Sequence, residues 1–171
     1  MQKTIGTIMV LGAVFLTVWL IKSDLSANND YNNKIGNYWT LADRSSTIDA
    51  KADYMNKYVS ALENSNLSGN NAVFYKNPGN SFEYNLLAVK TLQNRLEEIK
   101  GMNPASFEYQ QAISQITTQE QGEAEDMTNT FYGIWYLNNH PLLWGWYEML
   151  VIMGLILMGL IGVSVIDDAG Y

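Results

Sequence analysis

The chain has 171 residues, a net charge of −7 and no cysteine. The missing cysteines remove disulfides, thiolate metal sites and thiol chemistry together. An acidic surface repels phosphates, which speaks against nucleic acid as a partner.

The first element is apolar. Thr4 to Ile21 reads TIGTIMVLGAVFLTVWLI, long enough as a helix, at ~1.5 Å per residue, to cross or nearly cross a hydrocarbon core ~30 Å thick. It exceeds the roughly 7–15 residues of a signal-peptide core, and no small-x-small cleavage site precedes Ser26-Ala27. Residues 1–22 are therefore expected to form an uncleaved transmembrane signal anchor. Lys3 and Lys22 nearly balance across it, so the positive-inside rule gives little guidance. A connecting segment of more than about 60 residues translocates largely regardless of charge. The expected arrangement has both termini in the cytoplasm and residues 23–140 as an extracytoplasmic domain.

That domain is hydrophilic and patterned for helices. Tyr31, Ile35, Tyr38/Trp39 and Ala42, then Ile48, Ala52, Met55, Val59 and Leu62, recur at three and four, the spacing of one helix stripe. The stripe breaks across Asp43–Thr47, where Ser46 followed by Asp49 suits a helix start. Residues 64–80 are rich in Asn, Gly, Ser and Pro, each of which favours turns. They form the long loop, with Val73-Phe74-Tyr75 expected to tuck inward and Asn66-Leu67-Ser68 as a sequon that an Asn-rich chain supplies by chance. Ser81 opens a helix with Phe82, Leu86, Val89, Leu92, Leu96 and Ile99 on one face, ending at Lys100-Gly101. Asn103-Pro104 then starts a third helix, striped by Phe107, Ile113, Ile116, Met127, Phe131 and Ile134.

Both ends of the domain must return to one membrane face, so its passes must be even in number. Either the first stripe divides at Arg44–Ser46, or the loop makes a return pass. A long first helix continuous with the first span, with the loop running back along it, is the favoured solution.

Pro141 precedes the second apolar run, Leu142 to Ile166, LLWGWYEMLVIMGLILMGLIGVSVI. Residues 141–166 are read as a transmembrane helix and 167–171 as a short tail. The fold class is all-α: two transmembrane helices flanking an extracytoplasmic up-and-down bundle of three to four helices.

Few residues suggest chemistry. Glu148 lies nearly two turns into the second span, and intramembrane carboxylates are costly enough to imply a role. Trp144, Trp146 and Tyr147 beside it mark the headgroup belt, where a glutamate reaches water. With Phe131, Tyr132, Trp135 and Tyr136 they form an aromatic cluster that reads as interfacial anchor or docking surface. Gly154 and Gly162, eight apart, lie roughly on one face, and Gly6, Ala13 and Thr17 form a similar stripe, as in spans that approach closely. The single histidine, His140, with Met149 and Met153 reads as an interfacial residue beside lipid-facing methionines rather than a soft-metal site. The acidic run Glu120, Glu123, Glu125 and Asp126 lacks the pattern of a calcium loop. No Ser-His-Asp set or glycine-rich phosphate loop is present, so no enzyme activity, cofactor or metal is expected.

In outline, span, helical bundle and span are similar to the four-helix sensor modules of chemoreceptors and sensor kinases. The resemblance is topological, and only five residues follow Ile166, with no signalling helix among them. The expected role is a non-catalytic accessory subunit docked on other integral membrane subunits within the bilayer, through Glu148, Gly154, Gly162, Trp144, Trp146 and Tyr147. The alternative is a ligand-sensing module with a polar pocket near Arg44 or Arg95, the two arginines.

Overall fold

The computed structural model describes residues 2–72 and 75–168, and only the backbone of 115 and 117–125. The described residues are helical: α1 (Gln2–Tyr31), a π segment (Asn32–Gly36), α2 (Asn37–Asp43), α3 (Ile48–Glu63), α4 (Phe82–Ile99), α5 (Phe107–Asn139) and α6 (Gly145–Asp168), with short 3-10 turns at Pro78–Asn80 and Pro141–Leu143. They separate into two compact units, 30–138 and the pair 1–29 with 139–171.

Within 30–138 the first stripe divides. Helical backbone from Gln2 ends at Asp43, and Thr47, extended at φ −125°, caps α3 by accepting from the Ala50 amide at 3.3 Å. The favoured single continuous first stripe is therefore corrected, and the cap is Thr47 rather than Ser46. Ala52, Met55, Tyr58, Val59 and Leu62 form the buried face of α3. On α4 it is Phe82, Asn85, Val89, Leu92, Leu96 and Ile99, so the inward residue of the second turn is Asn85 and not the expected Leu86. Asn85 resolves its burial by donating to the Gly79 and Ser81 carbonyls, each at 2.8 Å.

A polar seam fixes the register of α3 on α4. Asp53 pairs with Lys100 at 2.7 Å, Asn56 bonds Glu97 and Gln93 at 2.6 Å each, and Glu63 pairs with Lys90 at 2.5 Å. One set of numbers rises as the other falls, so the helices are antiparallel. Rings lock the remaining elements to this pair. Phe131 of α5 lies 6.2 Å from Tyr58 and 5.5 Å from Phe82, and Trp39 of α2 lies 5.5 Å from Tyr58.

Residues 64–80 make no return pass. Phe82 N–H donates to the Gly69 carbonyl at 2.8 Å, which closes the loop on itself. Asparagines knit its interior: Asn70 donates to Asn80 Oδ1 at 2.6 Å, and Asn77 and Asn80 cap each other's backbone at 3.0 and 3.1 Å. Asn66 at φ 55° and Gly69 at φ 90° take the left-handed corners, conformations open to Asn and Gly. Of the expected plug, Val73 and Phe74 lie outside the described residues and Tyr75 is 85% exposed.

Two further expectations fail at the α4–α5 link. Asn103 and Pro104 form a turn, closed by Asn103 Oδ1 accepting from the Ala105 amide at 3.0 Å, and Ser106 caps α5 through the Tyr109 amide at 3.2 Å. Phe107, at the helix start, is 76% exposed. The core of α5 lies further on, at Ile116, Met127, Phe131, Ile134, Trp135 and Tyr136. Of the acidic run, the side chains of Glu120, Glu123 and Glu125 lie outside the described residues, and Asp126 is exposed.

Candidate functional site

α1 and α6 are both long and apolar enough to cross a membrane. Within residues 1–29 and 139–171 they cross where glycine permits it. A Cβ on Gly6 would stand 2.6 Å from the Gly162 carbonyl oxygen, and one on Gly162 would stand 2.9 Å from Val10 and 3.0 Å from the Gly6 carbonyl oxygen. Backbone meets backbone there, so neither position has room for a side chain. Gly6, Ala13 and Ala27 are spaced by multiples of seven and are buried on α1, the repeat that keeps one seam facing a partner helix. Thr7 and Thr17 bond back to the Lys3 and Ala13 carbonyls at 2.9 and 2.8 Å, which satisfies their hydroxyls without water.

The two expected glycines part company. Gly162 is buried on α1, whereas Gly154 is exposed with nothing within 4 Å of a Cβ. Eight residues at ~100° each leave them roughly 80° apart on the helix, so they do not share a contact face.

Towards the other end, a groove of about 510 Å³ opens between the helices. Thr17, Leu20 and Ile21 of α1 and Leu155 and Ile156 of α6 line it, together with Asp24 and Glu148. The chain enters α6 through the 3-10 turn at Pro141 and through Gly145 at φ 60°. This entry delays the helix, and Glu148 falls in its first turn rather than nearly two turns in. A carboxylate there is favoured by the helix dipole, and the side chain is exposed. Sequence reading missed Asp24, whose signal is its place one turn beyond the first apolar run.

The aromatic cluster also divides. Phe131, Trp135 and Tyr136 are core residues of 30–138. Trp144 is half-buried, and Trp146 and Tyr147 are 55% and 42% exposed at the start of α6. Arg44 and Arg95 are exposed, and neither lines this groove. Among the described residues no three His, Cys, Asp or Glu side chains gather to hold a metal.

No family model, curated protein or solved structure matches the chain.

Proposed function

We propose that the chain is an integral membrane protein of two spans, with both termini cytoplasmic and residues 23–140 outside. In this reading it is a non-catalytic accessory subunit, docked on other integral membrane subunits through its spans and its helical domain. The observation that carries it is the outward face of α1 and α6. Phe15 is 70% exposed, Ile8 64% and Leu160 63%, an apolar surface that water disfavours and a bilayer or a partner's spans accept. The groove beside Glu148 adds a seat for a partner helix that carries a basic side chain.

Purification in mild detergent is expected to give stoichiometric co-migration with other membrane proteins, and a stable isolated monomer would overturn the reading. Gly154→Leu is expected to weaken that co-migration, because Gly154 faces outward. Glu148→Gln should weaken it more than Glu83→Gln, a loss at the exposed start of α4. Equal effects would remove the carboxylate from the docking surface. The alternative, a ligand-sensing module that signals through a separate partner, draws on a different feature, an aromatic cavity among residues 30–138.

A further inference from the structure

Lys22 and Glu148 are opposite charges at one level of the α1–α6 pair, and both side chains are exposed. Residue numbers fall along α6 as they rise along α1: Gly6 meets Gly162 and Ile166, and Gly12 meets Met158. Carried along two helices of equal rise, this register sets Glu148 opposite Lys22. The two nevertheless do not pair within the chain. Glu148 lines the groove between the helices, whereas Lys22 does not. Leu20 continues the heptad of Gly6, Ala13 and Ala27, and Lys22 stands roughly 200° around the helix from it, on the side away from α6. Among the described residues neither charge has a hydrogen-bond or ion-pair partner. Charges at the edge of an apolar span are costly to leave unpaired.

The far side of α1 carries a second stripe. Ile8, Leu11, Phe15, Val18, Lys22 and Leu25 recur at three and four and are all exposed, the spacing by which one helix packs along another. Leu25 belongs to this stripe and also lines the groove. A residue shared by both surfaces suits a two-fold axis, because each copy must present stripe and groove at once. Copies inserted in one membrane share an orientation, so an axis along the membrane normal keeps every residue at its depth. A cation at the depth of Glu148 is therefore what a second copy brings, through its own Lys22.

We infer that the groove seats α1 of a second copy of this chain, with Lys22 of each copy paired to Glu148 of the other. The inference rests on the two-span reading above and names one partner of those spans. Gly154 does not line the groove, so a face of α6 is left for other subunits.

The test co-expresses the full chain with two different tags and purifies through one of them in mild detergent. The parent chain is expected to bring down its second-tagged copy. Lys22→Glu in both copies, or Glu148→Lys in both, sets like charges against each other twice and should cut that recovery about tenfold or more. Lys22→Glu in one copy with Glu148→Lys in the other re-forms both pairs with reversed sign, and recovery should return. That mixture contains the same two polypeptides as the failing samples, so its rescue separates lost pairing from misfolding. Unchanged recovery in either single variant, or no rescue in the mixture, would overturn the inference. A parent chain that co-migrates with other membrane proteins but never with its second-tagged copy would overturn it while leaving the docking role standing. A lone monomer would overturn both.

Discussion

In residues 30–138 the side chains sealed from solvent are large, with Tyr58, Tyr136, Phe131, Met55 and Leu62 all under 2% exposed. In residues 1–29 and 139–171 the sealed positions of α1 and α6 are Gly6, Ala13, Ala27 and Gly162, and the large apolar residues face outward. The inversion follows from the surroundings each unit is suited to. In water, removing apolar area is the main driving force, at roughly 25 cal/mol per Å², so bulk is buried. Among lipid tails that force vanishes between helices, and association rests on close backbone approach, which small residues permit.

The sharpest way to break this comparison is Phe131→Ala. Phe131 touches Tyr58 and Phe82 and is fully buried, so its loss should cost about 3–5 kcal/mol, read as a large fall in thermal stability of the helical domain. The α1–α6 crossing should persist. Its reporter is a spacer-bearing bis-maleimide cross-link between Gly12→Cys and Met158→Cys, where a Cβ on Gly12 would stand 3.5 Å from Met158 Cε, in a chain with no cysteine of its own. Loss of the cross-link in Phe131→Ala would show that the two units stand or fall together.

The reverse experiment is Gly6→Leu. Its Cβ would meet the Gly162 carbonyl oxygen at 2.6 Å, and backbone has nowhere to yield. Overpacking of this kind costs about 1–3 kcal/mol, and the cross-link yield should fall. Near-ultraviolet dichroism from the rings of 30–138 should melt as in the parent chain. An unchanged cross-link would remove the glycine contact as the basis of the pair.

Periodicity made the helices legible, because stripes such as Ala52, Met55, Val59 and Leu62 report the buried face directly. It could not separate partners from surroundings. Glycines eight apart look aligned in a linear sequence, yet which of them meets α1 depends on a crossing that only the fold provides. Tyr58 escaped notice because a tyrosine between Lys57 and Val59 reads equally as edge or core. The π segment was illegible for a related reason. Asn32, Asn33 and Lys34 carry no apolar marker, so one widened turn leaves the stripe from Tyr31 to Ile35 intact. The Asn-rich loop was recognised as a loop, but its closure depends on amides pairing ten residues apart, which composition does not encode.

The smallest expected effect tests the solvent-facing side of the comparison. Asp53 and Lys100 pair at 2.7 Å across the α3–α4 seam. The hydrogen bond to Lys100, with its charge, holds the Asp53 carboxyl below its ordinary range. The bond to Asp53 raises the Lys100 ammonium. A depressed carboxylate contributes stability that is present above its unfolded value and lost as pH falls through its folded value. A raised ammonium contributes stability that is present below its unfolded value and lost as pH rises through its folded one. Stability from the pair is thus flat across neutral pH and declines at both the acid and the strongly alkaline ends. Asp53→Asn should lessen both declines slightly, as read from melting temperatures in low salt. The difference should fade at 1 M salt, since exposed pairs are weak and screened. Identical pH profiles for the parent and Asp53→Asn would mean that the seam sets α3–α4 register without adding stability, with the core beneath it carrying the whole of the packing.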